Sequence, residues 1–248
     1  MTRPLSIGMT AAATSDDLFA PGLRRLSALA TLEASDLALL RTAMETPRTY
    51  PVRHSFLTVG RPVAEPLIVL QGWAARVRIL PDGRRQFMSF FLPGDVIGAT
   101  YQAMPIATAT VVALTECTVC TAPRAPAGSG LAQAYSVARA LDEAYLLGHV
   151  VQLGRLNAQE RISDFLLEIY ERLSLAGLTV GGSFEMPLTQ EMLADALGLT
   201  PVHVNRMIQQ ARRDGELMWK SGRVLLRDPE RTARTIGRQS PQVTGAGR

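Results

Sequence analysis

Residues 188–210 read LTQEMLADALGLTPVHVNRMIQQ, two short amphipathic segments on either side of a lone glycine. Thr189 is placed to cap the first segment, with Leu193, Ala196 and Leu197 facing inward. Gly198 ends it, because a helix that stops abruptly favours a residue free to take positive φ. Leu199 plugs the corner, Thr200 caps the second segment, and Pro201 occupies its first turn, where a missing N–H costs nothing. Val204, Met207 and Ile208 face back toward the first segment, and the small Ala194 permits close approach. This spacing predicts a helix-turn-helix. An αα-hairpin of a core with a solvated polar face would share it.

The flanking residues decide between the two. The outer face of the second segment carries His203, Asn205 and Arg206, candidates to read base edges, and then Gln209, Gln210, Arg212 and Arg213. No acidic residue interrupts them. Arg grips guanine O6 and N7 with two bonds, and Asn or Gln reads adenine. Two β-prone runs around Ser221-Gly222 predict a small wing, with Lys220 and Arg223 at its tip. Thr189, Thr200, Gln209, Arg212, Arg213, Lys220 and Arg223 are the candidates for DNA backbone contacts. From Met186 onward ten Lys/Arg stand against six Asp/Glu, a surplus of four that equals the net charge of +4 for the whole chain. The basicity lies where the candidate DNA reader lies.

Upstream, residues 22–45 read as helical, with Ser35 a candidate cap and Leu37, Leu40 and Met44 at helical spacing. Residues 48–121 are short β-prone runs broken by glycines at 60, 72, 83, 94 and 98, and Asp82-Gly83 marks a hairpin. This predicts an antiparallel β-roll. After the linker PRAPAGSG (123–130), one helical pattern runs from Leu131 to about Leu156. Leu131, Tyr135, Ala138, Leu141 and Tyr145 form one stripe, and Leu146, Leu147, Val150, Val151 and Leu153 a second face. A helix apolar on more than one side must bury more than one side. One side can cover the roll, and the other suits a second copy of the chain. The first stripe is assigned to dimerisation; burial within a monomer is the alternative. Asn157-Ala-Gln-Glu160 is a capping-box restart, which makes Asn157 the hinge. GLTVGGSFEMP (177–187) reads as a turn or short hairpin.

The expected order is therefore a tail over 1–20, a β-roll sensor over 21–130, a dimerisation helix and hinge over 131–157, a winged helix-turn-helix over 158–230, and a disordered tail over 231–248. The fold class is α+β. With 248 residues, 47% of them hydrophobic, the chain can build such cores. Its two cysteines argue against a secreted disulfide scaffold and suit a reducing cytosol. No apolar run approaches the roughly 20 residues of a membrane span. The opening MTRPLSIGMTAAATSDD is too weakly apolar at its centre for a signal peptide.

On these residues the chain resembles the Crp/Fnr family of bacterial transcription regulators, over about residues 20–228. Three stretches carry the resemblance: LPDGRRQFMSFFLPGDVIG (80–98), NAQERISDFLLEIYERL (157–173) and LTQEMLADALGLTPVHVNRMIQQARRDGEL (188–217). The last is similar to an alphaproteobacterial-type branch whose recognition helix opens TPVHVNR. The resemblance implies a cyclic-nucleotide-binding-like roll, a homodimer on a palindromic operator of double-stranded DNA, and RNA polymerase as a partner. Arg206 falls at the family's base-reading arginine. Val202 stands where many members have a glutamate.

A second departure concerns the effector. Members that bind cyclic AMP hold its ribose with a glutamate and its phosphate with an Arg-Ser pair. Here Ala99 falls at the glutamate, and Ala107 and Thr108 at the pair. A phosphate without its arginine loses a charge-assisted partner, so cAMP is not expected as effector. Iron–sulfur members use N-terminal cysteines, and this chain has none before Cys117. Cys117 and Cys120 lie in a strand-like run, where positions three apart point to opposite faces. His54, His149 and His203 lack metal-ligand spacing, so neither haem nor another metal is expected. Walker, HExxH and nucleophile-elbow motifs are missing, so no enzyme is expected. A ligand sensor acting through a protein partner, with a structural helix-turn-helix, remains the rival reading. The effector is unassigned.

Overall fold

A computed structural model describes residues 15–99 and 104–244. Helices α1 (Ser15–Ser27) and α2 (Ala34–Met44) lead into strands β1 (Arg48–Tyr50), β2 (Ser55–Leu57), β3 (Leu67–Gln71), β4 (Ala74–Ile79), β5 (Arg85–Phe91), β6 (Val96–Ile97), β7 (Thr110–Ala113) and β8 (Cys117–Thr121). The long helix α3 (Gly130–Arg155) and α4 (Ala158–Leu175) follow. Then come β9 (Ser183–Glu185), α5 (Gln190–Leu197), α6 (Pro201–Arg213), β10 (Leu217–Lys220), β11 (Arg223–Leu226) and α7 (Pro229–Thr235).

The roll is two antiparallel four-stranded sheets, ordered β1-β8-β3-β6 and β2-β7-β4-β5. Val69, Ala74, Phe91, Ile97, Val111, Ala113, Cys117 and Val119 form the core between them. The outer face of the first sheet is covered by α1, α2 and the start of α3, through Leu26, Leu40, Met44, Ile68, Leu70, Leu131 and Ala134. The outer face of the second sheet receives the C-terminal domain. There a bulge decides the packing. Ser89 pairs with Arg76 and Phe87 with Val77, so Met88 is an extra residue in β5. The extra residue puts Phe87 and Phe90 on one face together with Ala75 and Val77. All four join one core with Phe165, Ile169, Leu193 and Leu197 of the reader domain.

The structure corrects several expectations. Residues 22–45 hold parts of two helices rather than one, and Glu33, not Ser35, caps the second, in a capping box with Asp36. Of the expected tail 1–20, residues 1–14 lie outside the described residues, and residues 15–20 are the first turns of α1. The expected disordered tail 231–248 begins as ordered structure: residues 231–235 belong to α7, and the Arg238 side chain is buried against α4. Residues 245–248 lie outside the described residues. The stretch 177–187 supplies β9, which pairs with β11, so the wing is a three-stranded sheet ordered β10-β11-β9.

The largest correction concerns α3. The stripe assigned to dimerisation faces the chain's own roll. Leu131 is 0% exposed, Leu141 is buried, and Tyr135 packs on the same cluster as Leu131. Ala138, Leu141 and Tyr145 line a cavity beneath the roll. The open face is the other one, where Leu147, Val150 and Val151 are 62%, 68% and 58% exposed. Both faces are apolar in sequence, so composition alone does not decide which one the roll takes.

Candidate DNA-reading site

Thr189 and Thr200 cap α5 and α6: their hydroxyls accept from the backbone N–H of Met192 at 3.1 Å and of His203 at 3.2 Å. Each hydroxyl keeps its proton for another acceptor. Gly198 sits between the helices at φ 63°, ψ 37°, the left-handed turn required there. Leu199 N–H bonds Ala194 C=O at 3.1 Å, and Ala194 is buried where the helices meet. Val204, Ile208 and Ala211 are buried and lock the rotation of α6.

That rotation exposes one ridge. Val202, Arg206, Gln209 and Arg213 follow one another at steps of three or four residues along the outermost line of α6, and all are exposed. Asn205 and Arg212 flank it on one side, and Gln210 and the half-buried His203 on the other. The side chains are held only loosely. Arg206 Nη2 lies 3.3 Å from His203 Nε2, Arg212 Nη1 donates to Gln209 Oε1 at 3.4 Å, and Arg213 Nη2 to Gln210 Oε1 at 2.5 Å. On α6 the base-reading candidates His203, Asn205 and Arg206 and the backbone candidates Gln209, Arg212 and Arg213 thus share one surface, with Gln209 on the ridge of Arg206 rather than beyond it. Val202, 80% exposed at the first turn, was assigned no role from sequence. The signal was there: a β-branched apolar residue among polar ones at the start of a recognition helix is suited to a thymine methyl.

In the wing, Lys220 pairs with Arg223 across Ser221-Gly222, whose φ values of 51° and 73° make the tight reversal. Both side chains are exposed. Arg223 also reaches Glu185 of β9 at 3.4 Å, so Lys220 is the less engaged of the two.

The reader is fixed to the rest of the chain at three places. At the hinge, Asn157 Oδ1 accepts from the N–H of Gln159 and Glu160, and Glu160 Oε2 accepts from Asn157 N–H at 2.8 Å. Arg161 donates to the carbonyls of Leu153, Leu156 and Leu197, tying the end of α3, the hinge and the end of α5 together. On the hairpin, Arg85 pairs with Asp195 at 2.6 Å and Gln86 donates to Ala196 C=O at 2.8 Å. At the junction, Arg172, 6% exposed, pairs with Asp95 of the roll and Glu168 of α4, donates to Phe90 C=O, and lies over the Tyr145 ring. Burial pulls against its charge, but Asp95 and Glu168 outweigh burial and raise its pKa. Arg161 and Arg172 carry no sequence signal beyond being charges in amphipathic helices.

The cavity beneath the roll measures about 230 Å³ and is lined by Arg25, Arg76, Arg172, Asp95 and Asp142, among others. Ala99, Ala107 and Thr108 line it too. Arg76 forks onto Asp142 of α3 at 3.0 and 3.3 Å. Cys117 and Cys120 lie in different cores, on opposite faces of β8. Burial pushes both thiols up, Cys120 to about 11. Among the described residues there is no group of three or more His, Cys, Asp or Glu placed to hold a metal ion, and no helix is long and apolar enough to cross a membrane.

Comparison with known proteins matches this layout. A Crp-like helix-turn-helix domain matches residues 160–234, and a cyclic nucleotide-binding domain matches residues 47–131. The nitrogen fixation regulation protein FixK of Azorhizobium caulinodans is 30% identical over 79% of this chain and 81% of that protein. The chain belongs to the Crp/Fnr family of transcription regulators. The transcriptional activator protein FnrL of Cereibacter sphaeroides is 28% identical to this Crp/Fnr regulator, over 88% of the chain and 91% of that protein. Among solved structures, FixK2 from Bradyrhizobium japonicum is 27% identical, with a TM-score of 0.66 over 76% of this chain and 96% of that one. The Crp-like helix-turn-helix match spans α5, α6 and the wing, and makes this Crp/Fnr regulator a DNA-binding one.

Proposed function

We propose that this regulator acts as a cytoplasmic homodimer on a palindromic operator, without control by cyclic AMP. The observation that carries the reading is the exposed ridge Val202–Arg206–Gln209–Arg213 on a helix whose opposite side is fully buried. The open apolar face of α3, with Leu147, Val150 and Val151, supports a two-fold seam with a second copy. Two copies of α6 would then enter successive major grooves one helical turn apart. Arg206 grips guanine, Val202 meets a thymine methyl, and Asn205 and His203 supply the flanking contacts. Thr189, Thr200, Arg212, Lys220 and Arg223 hold phosphates. RNA polymerase is the partner through which bound protein would act on transcription.

The cavity supports cAMP independence. The positions of the family's ribose and phosphate contacts present two methyl groups and one hydroxyl, Arg76 is already forked onto Asp142, and Arg172 onto Asp95 and Glu168. Calorimetry should give millimolar or weaker affinity for cAMP; tight binding overturns this part of the reading. The main test is selection of bound duplexes from a random DNA pool with purified, effector-free protein. Enrichment of one palindrome is expected. Enrichment of an undivided single site overturns the dimeric reading, and an affinity without the salt dependence that phosphate contacts impose overturns DNA reading in favour of a structural helix-turn-helix that docks a protein partner.

A further inference from the structure

Residues 236–240 lie beyond the wing and outside the DNA-reading surface. The turn that delivers them is well defined. Gly237, at φ 65°, follows the end of α7; its N–H bonds Arg234 C=O, and Arg238 N–H bonds Ala233 C=O. This is the double bond pattern of a Schellman stop, and it sends the chain back across α4. Arg238, with its side chain 8% exposed, then meets α4 at two points. Its Nε and Nη2 fork onto Glu171 at 3.2 and 3.0 Å, and its Nη1 donates to Asp164 Oδ1 at 2.5 Å. Ser240 adds a bond to Glu171 at 2.9 Å.

Asp164 has a second partner. Its Oδ2 accepts from Gln152 Nε2 at 2.9 Å, and Gln152 belongs to the last turn of α3. Gln152 is 2% exposed, also donates to Arg161 C=O at 3.1 Å, and holds His149 Nδ1 at 2.9 Å. One carboxylate thus joins the C-terminal strap to both sides of the hinge. Glu168 and Glu171 stand on the same helix, so Asp164 without Arg238 would be a half-buried anion beside other carboxylates. Its lowest-energy course is to turn to water, which leaves Gln152 with a single acceptor.

We propose that Arg238 is a positioning residue for DNA reading: by holding Asp164 on Gln152 it sets the angle between α3 and α4. The idea rests on the reading that two copies engage a palindrome, because only then does the hinge angle set the spacing of the two recognition helices.

The test uses the full-length protein, its selected palindrome and a duplex carrying one half-site. Arg238→Met keeps the packed stem and loses the charge. It should bind the palindrome about tenfold more weakly and the half-site unchanged. Arg238→Lys, which returns a charge to Asp164, should recover part of the loss. A folded Arg238→Met with parental affinity for the palindrome overturns the proposal, and so does an equal loss on both duplexes, which marks damage within the reader. Should Arg238→Met not fold, the double variant Arg238→Met, Asp164→Leu removes both buried charges and decides by the same criteria. A parent protein that binds the palindrome no better than the half-site marks failure of the dimeric reading instead.

Discussion

The arginines of this regulator fall into two sets that share a charge and little else. Arg172 and Arg238 are buried, each bound to two carboxylates. Arg206, Arg212 and Arg213 are exposed, and their side chains meet neutral groups of His203, Gln209 and Gln210. In the first set every terminal guanidinium nitrogen is held by a carboxylate, and only Arg172 Nε keeps a donor without a partner among the described residues. The second is held by uncharged side chains of its own helix, which a guanine or a phosphate can replace. Charge surplus in the C-terminal part of the chain therefore locates the reader only after the buried, carboxylate-bound arginines are set aside.

The comparison breaks most visibly at Arg172. Arg172→Ala leaves Glu168 without its i,i+4 cation and Asp95 with Arg25 alone, at 3.6 Å, at a junction of roll, α3 and α4. The loss should be about 3–5 kcal/mol of stability, read from the denaturant midpoint. A loss below about 1 kcal/mol would place Arg172 with the exposed set. Arg206→Ala should do the opposite: leave stability near parental and cost about 1–3 kcal/mol of binding to the preferred duplex, with relaxed selection at one base. Unchanged affinity would show that another residue of the ridge carries the contact.

How far these roles were legible in sequence follows from the range of the interactions. The helix-turn-helix could be read because its signals are local: Thr189, Gly198, Thr200 and Pro201 each act within four residues of themselves. The roll announced itself through turn spacing. The choice of face on α3 could not be read, because Leu141 and Leu147 are equally apolar and the residues that meet Leu141 lie about 30 or more residues upstream, beyond the reach of local signals. The bulge at Met88, which turns Phe87 and Phe90 toward the reader, has no compositional mark. Arg172 and Arg238 meet partners 77 and 74 residues away, so nothing in their neighbourhood distinguishes them from surface arginines. Cys117 and Cys120 were placed on opposite faces by strand parity alone, and they lie there.

Lys220 sharpens the contrast within the exposed set. It stands at the wing tip, with Arg223 across the turn engaged by Glu185. Lys220→Ala should weaken binding evenly across sequences and lower the slope of log affinity against log salt by about 1. A sequence-selective effect instead would move the wing from backbone contact to base reading.

The smallest expected effect is the most specific. Val202 begins the ridge that Arg206 continues four residues later, and its side chain stands exposed. Val202→Ala removes the methyl groups available to a thymine and should cost about 1 kcal/mol or less, at one operator position only. Val202→Glu makes a sharper demand. A carboxylate there lies one turn before Arg206, can pair with it, and accepts from cytosine N4 rather than meeting a methyl. Selection with that variant should replace thymine by cytosine at one position of each half-site and leave the guanine of Arg206 in place. If the base preference does not move, the first turn of α6 lies on the phosphate backbone, and the ridge enters the groove from Arg206 onward.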